Sequence, residues 1–272
     1  MEGNNFIVNG LWNAVAFFVD KSTGYDQLKS MDNLLFMNDG IYSSFWSLVT
    51  SAYNIVVPFG FALITTFFLI HMYDIASKDQ MSVESIAKAL IGLVITVSIA
   101  GNLTTIVNTI LSIGESMAKS LQGVMINDFS SATAEAIADM QEANPGFGGA
   151  LGMLIESFVI YMVHQIAVIV VDLAFCQRML ELGWRCALAP LGVANAFDGG
   201  ANSSAVRYLK GLLAVAISGA AIYLVASLGL RLSTALFASD LAGNMWLAAA
   251  ALLGAGITAM GAGTKVKEVI GA

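Results

Sequence analysis

The chain has 272 residues, 57% of them hydrophobic and 11% charged, where soluble domains hold roughly 45–50% and about 25%. Its formal charge is −7, from 12 basic and 19 acidic residues, and its mean hydropathy is +0.77. That composition excludes a soluble globule, which could not cover so apolar a core, and a nucleic-acid-wrapping surface, which needs dense Lys and Arg. A bundle of membrane-spanning helices needs no polar coat around its middle.

The first residues, Met1-Glu2-Gly3, carry no basic segment, and Leu11–Val19 is too short and lacks a small-residue cleavage site, so no cleavable signal is expected. Phe6, Trp12, Val15, Phe17, Phe18 and Val19 interleave with Asn9, Asn13 and Asp20. This pattern predicts an amphipathic helix in an external arm over 1–43, lying on the outer membrane surface or packed on the bundle. Leu28 to Met37 is read the same way.

A charge-free run of about 18 or more apolar residues is a candidate spanning helix. A transmembrane domain over 44–272 is expected to hold five. The first covers 49–73, with Pro58 and Gly60 as a kink. The second covers 87–107, with Ser82 as N-cap and Glu84 in the first turn. An external loop over 114–147 follows. It holds one Lys and five acids between Glu115 and Glu142, a helix starting at Ser130 and a turn at Asn144-Pro145-Gly146. Asp128, Glu135 and Asp139 are read as a solvated helix face.

The third span, 151–176, carries Glu156, His164 and Asp172 at eight-residue steps. Each step turns the direction by about 80°, so the three spiral and form no stripe. Intramembrane ionisable groups are costly and mark proton or ion paths when they serve function. His164 bonding a neighbouring helix, with the two acids at the boundaries, is the simpler reading. The fourth span covers 211–230 and the fifth 244–263. Between spans three and four, residues 179–197 follow Arg178 and carry Glu181, Arg185 and a central Pro190. A full crossing there would put charges in lipid and break the helix, so an interfacial or re-entrant helix is expected.

Lys78, Lys88, Arg178, Arg185, Arg207, Lys210, Lys265 and Lys267 then all fall on one side, 8 of the 12 basic residues. The side rich in Lys and Arg is cytoplasmic. The expected topology is five spans in the cytoplasmic membrane, N-terminus outside and C-terminus cytoplasmic.

Arg178, Glu181 and Arg185 are spaced i,i+3 and i,i+4, so they share a helix face and can pair. With Pro190, Arg207 and Lys210 they form a candidate cytoplasmic docking or gating element, or an anchor. In span five, Ala255, Ala259 and Gly263 lie at four-residue steps, as do Gly254, Thr258 and Ala262. Two such small-residue faces predict close helix packing, one of them against a neighbouring subunit or within the chain. No G-x-S-x-G, H-E-x-x-H or Walker A sequence occurs. Two cysteines, Cys176 and Cys186, read as reduced buried thiols. His71 and His164 have no cysteine or acid at ligand spacing, so no catalytic, cofactor or metal residues are expected.

The stretch Arg178-Met179-Leu180-Glu181-Leu182-Gly183-Trp184-Arg185-Cys186-Ala187-Leu188-Ala189-Pro190-Leu191 resembles the R-x-x-E-L-x-x-R-x-A-x-A-P-L segment of the VirB6/TrbL family. These are polytopic inner-membrane subunits of type IV secretion and conjugation systems. Arg207-Tyr208-Leu209-Lys210 resembles the R-Y-L-K sequence that opens that family's next span. Thr23-Gly24-Tyr25 and Met31 to Met37 are similar to compact members from Gram-positive conjugative elements. The resemblance is best over 150–230. It implies five spans, an outside N-terminus and an external loop after span two. The present loop is short, and no long soluble tail is expected.

The resemblance also implies a non-enzymatic channel or scaffold subunit of a conjugative DNA transfer machine, with no cofactor. Its partners would be the lipid bilayer, other secretion subunits including an ATPase, and further copies of itself. DNA would touch it only in transit, and an acidic wall would let it pass without sticking. A proton-coupled small-solute transporter using His164 and Asp172, or a holin-like pore, is the alternative.

Overall fold

A computed structural model describes residues 2–22, 40–77, 82–125, 130–143, 146–196, 203–239 and 241–271. The described residues are almost entirely helical, and no strand occurs among them. In chain order the helices are α1 (Glu2–Ser22), α2 (Gly40–Ser77), α3 (Val83–Gly101), α4 (Leu103–Met125), α5 (Ser130–Ala143), α6 (Phe147–Ala187), α7 (Ala189–Gly192), α8 (Ser204–Ser239) and α9 (Leu241–Ile270). Five of them, α2, α3, α6, α8 and α9, are long and apolar enough to cross a membrane, and the chain is a polytopic all-α membrane protein. The segment Leu28 to Met37 and the Thr23-Gly24-Tyr25 stretch lie outside the described residues.

Helix boundaries follow local chemistry. Ser82 caps α3: its hydroxyl accepts from the Ser85 N–H at 3.0 Å, and the Ser85 hydroxyl accepts from the Ser82 N–H at 3.0 Å. This satisfies two first-turn donors reciprocally. The second span was expected to continue to 107, but the helix breaks at Asn102. There the side-chain amide donates to the Ser98 carbonyl at 2.9 Å, a local bond that competes with the helix ladder. Helix α4 then runs through what the sequence suggested was the start of a loop.

The separate helix expected over 179–197 is absent. Helix α6 continues unbroken from Phe147 through Arg178, Glu181 and Arg185 to Ala187. The break comes at Leu188, and Pro190 sits in the first turn of α7, where its missing N–H costs nothing. Helix α2 likewise runs through Pro58. Cys176 is exposed and only Cys186 is buried.

The chain forms two compact units. The first comprises Met1–Phe36, Ala118–Cys176 and Ala220–Ala262; the second Met37–Met117, Gln177–Gly219 and Gly263–Ala272. In the first, Trp12, Val15 and Val19 of α1 are buried with Met140 of α5, Ile160 of α6, Phe237 of α8 and Met245 of α9. The described part of the arm thus packs by its apolar stripe on the bundle. Phe175, Tyr223 and Ala259 centre another cluster in the same unit.

In the second unit, Leu103 and Val107 of α4, Leu182 and Cys186 of α6 and Leu212 and Ala216 of α8 make one core, with Trp46, Val49 and Tyr53 of α2 against it. A Cβ on Gly183 would collide with the Phe45 ring and press on Val49. Gly60 is equally close to Pro190. These contacts sit against one feature of the expected threading. That reading starts span one outside at 49 and ends span three inside at 176, with Gly183 about 10 Å further along the helix. Val49 touching Gly183 puts both at one level, so residue 49 and the Arg178–Arg185 stretch do not occupy opposite faces.

Candidate functional site

The polar groups of the second unit converge where α6 ends, α8 begins and α9 ends. Arg178 is 7% exposed. Its Nε donates to the Val215 carbonyl at 3.2 Å and its Nη2 to the Ala216 carbonyl at 3.0 Å. Room for the guanidinium comes from Gly219, where a Cβ would overlap it. A buried charge is costly unless it is hydrogen-bonded, and here helix carbonyls supply acceptors for Nε and Nη2, while Nη1 has none among the described residues. Arg178 therefore ties α6 to α8 and does not pair with Glu181, although the spacing allowed it.

Glu181 is the anionic centre. Its Oε1 accepts from Arg185 Nε at 3.0 Å and Nη2 at 2.9 Å, and from Lys267 Nζ at 2.6 Å. Side-chain exposures are 24% for Glu181, 18% for Arg185 and 30% for Lys267. They separate this junction from the pairs Lys88–Glu84 and Lys265–Glu268, whose side chains are largely solvated and so contribute little. The Arg185 guanidinium also lies 5.2 Å from the Trp184 ring centroid and fills the space over Gly211. The Tyr208 hydroxyl donates to the Arg185 carbonyl, and the Tyr208 ring covers Gly192. Two cations, Arg185 and Lys267, thus meet one carboxylate. Arg207 and Lys210 project from the exposed face of α8 and pair with no carboxylate among the described residues.

Sequence spacing found Glu181 and Arg185. It missed Lys267, 86 positions away, and the glycines Gly211 and Gly219 that seat the two arginines. Tyr208 was visible only as part of the R-Y-L-K stretch.

The intramembrane ionisable residues are not brought together. His164 is buried on the bundle-facing stripe of α6, and Glu156 and Asp172 flank it half-buried. Glu156 Oε1 accepts from Trp246 Nε1 of α9 at 3.0 Å. Of the small residues on α9, Ala255 packs on Gly229 of α8, and Ala259 and Ala262 are buried. Gly256 of α9, a residue outside both predicted stripes, lies close against the Ala167 carbonyl and Val170 of α6. Gly254 and Thr258 are exposed, and a Cβ on Gly254, Gly261 or Gly263 would meet nothing.

No curated protein and no solved structure matches the chain. A family model described as TrbL/VirB6 plasmid conjugal transfer like protein matches residues 37–190, more than half of the sequence. The matched region takes in α2 to α6 and the Arg178–Glu181–Arg185–Pro190 stretch, and stops before Arg207 and Lys210. On that match the chain belongs to the TrbL/VirB6 plasmid conjugal transfer-like family of secretion-system membrane subunits.

Proposed function

We propose that the protein is a channel or scaffold subunit of a conjugative type IV secretion machine and performs no chemistry of its own. The observation that carries this is the family match over 37–190. In this reading separate ATPases supply the energy, DNA contacts the chain only in transit, and the chain assembles with further copies and with other membrane subunits. The open Gly254–Thr258 side of α9 supports such assembly, because small residues let helices approach closely.

The junction of Arg178, Glu181, Arg185 and Pro190, with Arg207 and Lys210 beside it, is the element offered to cytoplasmic partners. The C-terminus lies inside. The cations Arg207, Lys210, Lys265 and Lys267 near the ends of α8 and α9 support that placement.

An in-frame deletion tests the proposal in a mating assay. Transfer of the mobile DNA should fall to background while growth is unchanged, and the wild-type chain supplied in trans should restore it. Transfer at the parental frequency in the deletion strain would end it.

A further inference from the structure

Within the second unit a cavity of about 290 Å³ opens between α2 and α4, with Cys186 of α6 on its wall. That is near the lower end, about 300 Å³, of the range for small-molecule sites. Trp46, Val49, Val107 and Leu111 supply apolar wall, and Thr50, Tyr53, Thr104 and Asn108 supply polar groups. No charged side chain lines it. The Thr104 hydroxyl donates to the Tyr53 hydroxyl at 3.3 Å, which leaves the phenol proton available. The Thr50 hydroxyl and the Asn108 amide have no hydrogen-bond partner among the described residues. The site therefore offers spare donors beside an apolar slot and no ionic partner.

Its place in the chain narrows the ligand. Trp46 and Tyr53 stand near the start of one candidate span, and Thr104 to Leu111 just beyond the end of the next. Span ends are where Trp and Tyr sit at the headgroup level and where the ester oxygens of lipids lie. An unpaired amide facing hydrocarbon is costly; an ester carbonyl would accept its proton.

We propose that this groove binds one acyl chain of a membrane glycerolipid, with an ester carbonyl of that lipid accepting from Asn108 and Thr50. The apolar slot takes the first methylenes, and Tyr53 and Thr104 close the ester end. The lining is uncharged, so the headgroup phosphate lies outside it.

The test uses the full-length chain in nanodiscs of phosphatidylglycerol doped with the same lipid carrying a diazirine near the carbonyl end of one acyl chain. After irradiation, adducts are mapped by peptide mass spectrometry. Peptides holding residues 46–53 and 104–111 should be labelled at least about fivefold above the exposed face of α3 around Ile91 and Val94, a ratio matching one well-formed contact set. Val107→Trp should abolish the excess by filling the slot and leave α3 labelling unchanged. Asn108→Leu, close in size and on the exposed side of α4, should lower the excess by about threefold through one lost hydrogen bond, and it keeps the test decisive if the tryptophan variant does not fold. Labelling no higher in the groove than on α3, or unaffected by Asn108→Leu, overturns the proposal. So does a crosslink from Asn108→Cys to a second copy of the chain, which would show a helix in that space.

Discussion

Helices α2 and α8 are equally apolar, yet 67% of the most apolar stretch of α8 is buried in the protein against 11% for α2 and for α3. The difference lies in side-chain size. Beside Leu212, Ile222 and Tyr223, the buried face of α8 holds many small residues, Ala214, Ala216, Ser218, Gly219, Ala220 and Ser227, so other helices reach its backbone. Gly114 of α4 lies so close that a Cβ there would strike the Ala216 carbonyl. Helices α2 and α3 expose Phe59, Leu69, Ile70, Ile91 and Val94, large residues that suit lipid. In a bilayer the tails are as apolar as leucine, so hydropathy does not select the buried helix; small residues do, by allowing close packing.

The largest effect should come from emptying the α8 core. Tyr223 is 1% exposed, and Tyr223→Ala should destabilise the folded chain by about 3–5 kcal/mol, read as a shifted midpoint in a denaturation series in mixed micelles. Filling a close approach comes next. Gly114→Val meets backbone, which moves little, and should cost about 1–3 kcal/mol. Gly254→Ala, on the open side of α9, should stay within about 0.5 kcal/mol. An equal loss from both would remove the distinction between the packed and open faces.

Glu181→Ala leaves Arg185 and Lys267 facing each other without their anion. It should cost about 1–2 kcal/mol, where Glu268→Ala, in a solvated pair, costs under about 1 kcal/mol. Lys267→Ala should reproduce part of the loss, because both residues meet at one carboxylate oxygen. The smallest effect belongs to the lipid-facing helix: Ile91→Ala should change stability by less than about 0.5 kcal/mol.

Much of this was legible in the sequence. Charge-free runs located the five candidate spans, and Ser82 and Ser130 marked helix starts. The separate helix over 179–197 failed for an electrostatic reason. Arg178, Glu181 and Arg185 argued for an exit from the spanning helix because charge in lipid is costly. The carbonyls of Val215 and Ala216 and the amine of Lys267 satisfy those charges from far away in sequence, so α6 continues to Ala187. The four-residue stripes of α9 were read from spacing, but spacing does not tell which stripe is occupied; Ala255 packs on Gly229, and Gly256, outside both stripes, lies against Ala167 and Val170. The α2–α4 groove had no sequence signal, since its lining comes from three helices and carries no charge. The contact of Val49 with Gly183 likewise depends on packing that charge counting along a chain does not report.

The account turns on which helix faces meet lipid. With Cys176 and Cys186 replaced by serine, spin labels at Ile70→Cys, Ile91→Cys, Val94→Cys and, in α8, Ile222→Cys can be measured in nanodiscs by collision with oxygen and with a water-soluble nickel chelate. The account predicts that oxygen reaches the labels on α2 and α3 and the chelate does not, while the α8 label is shielded from both. Free access of the chelate to positions 91 and 94 would contradict it.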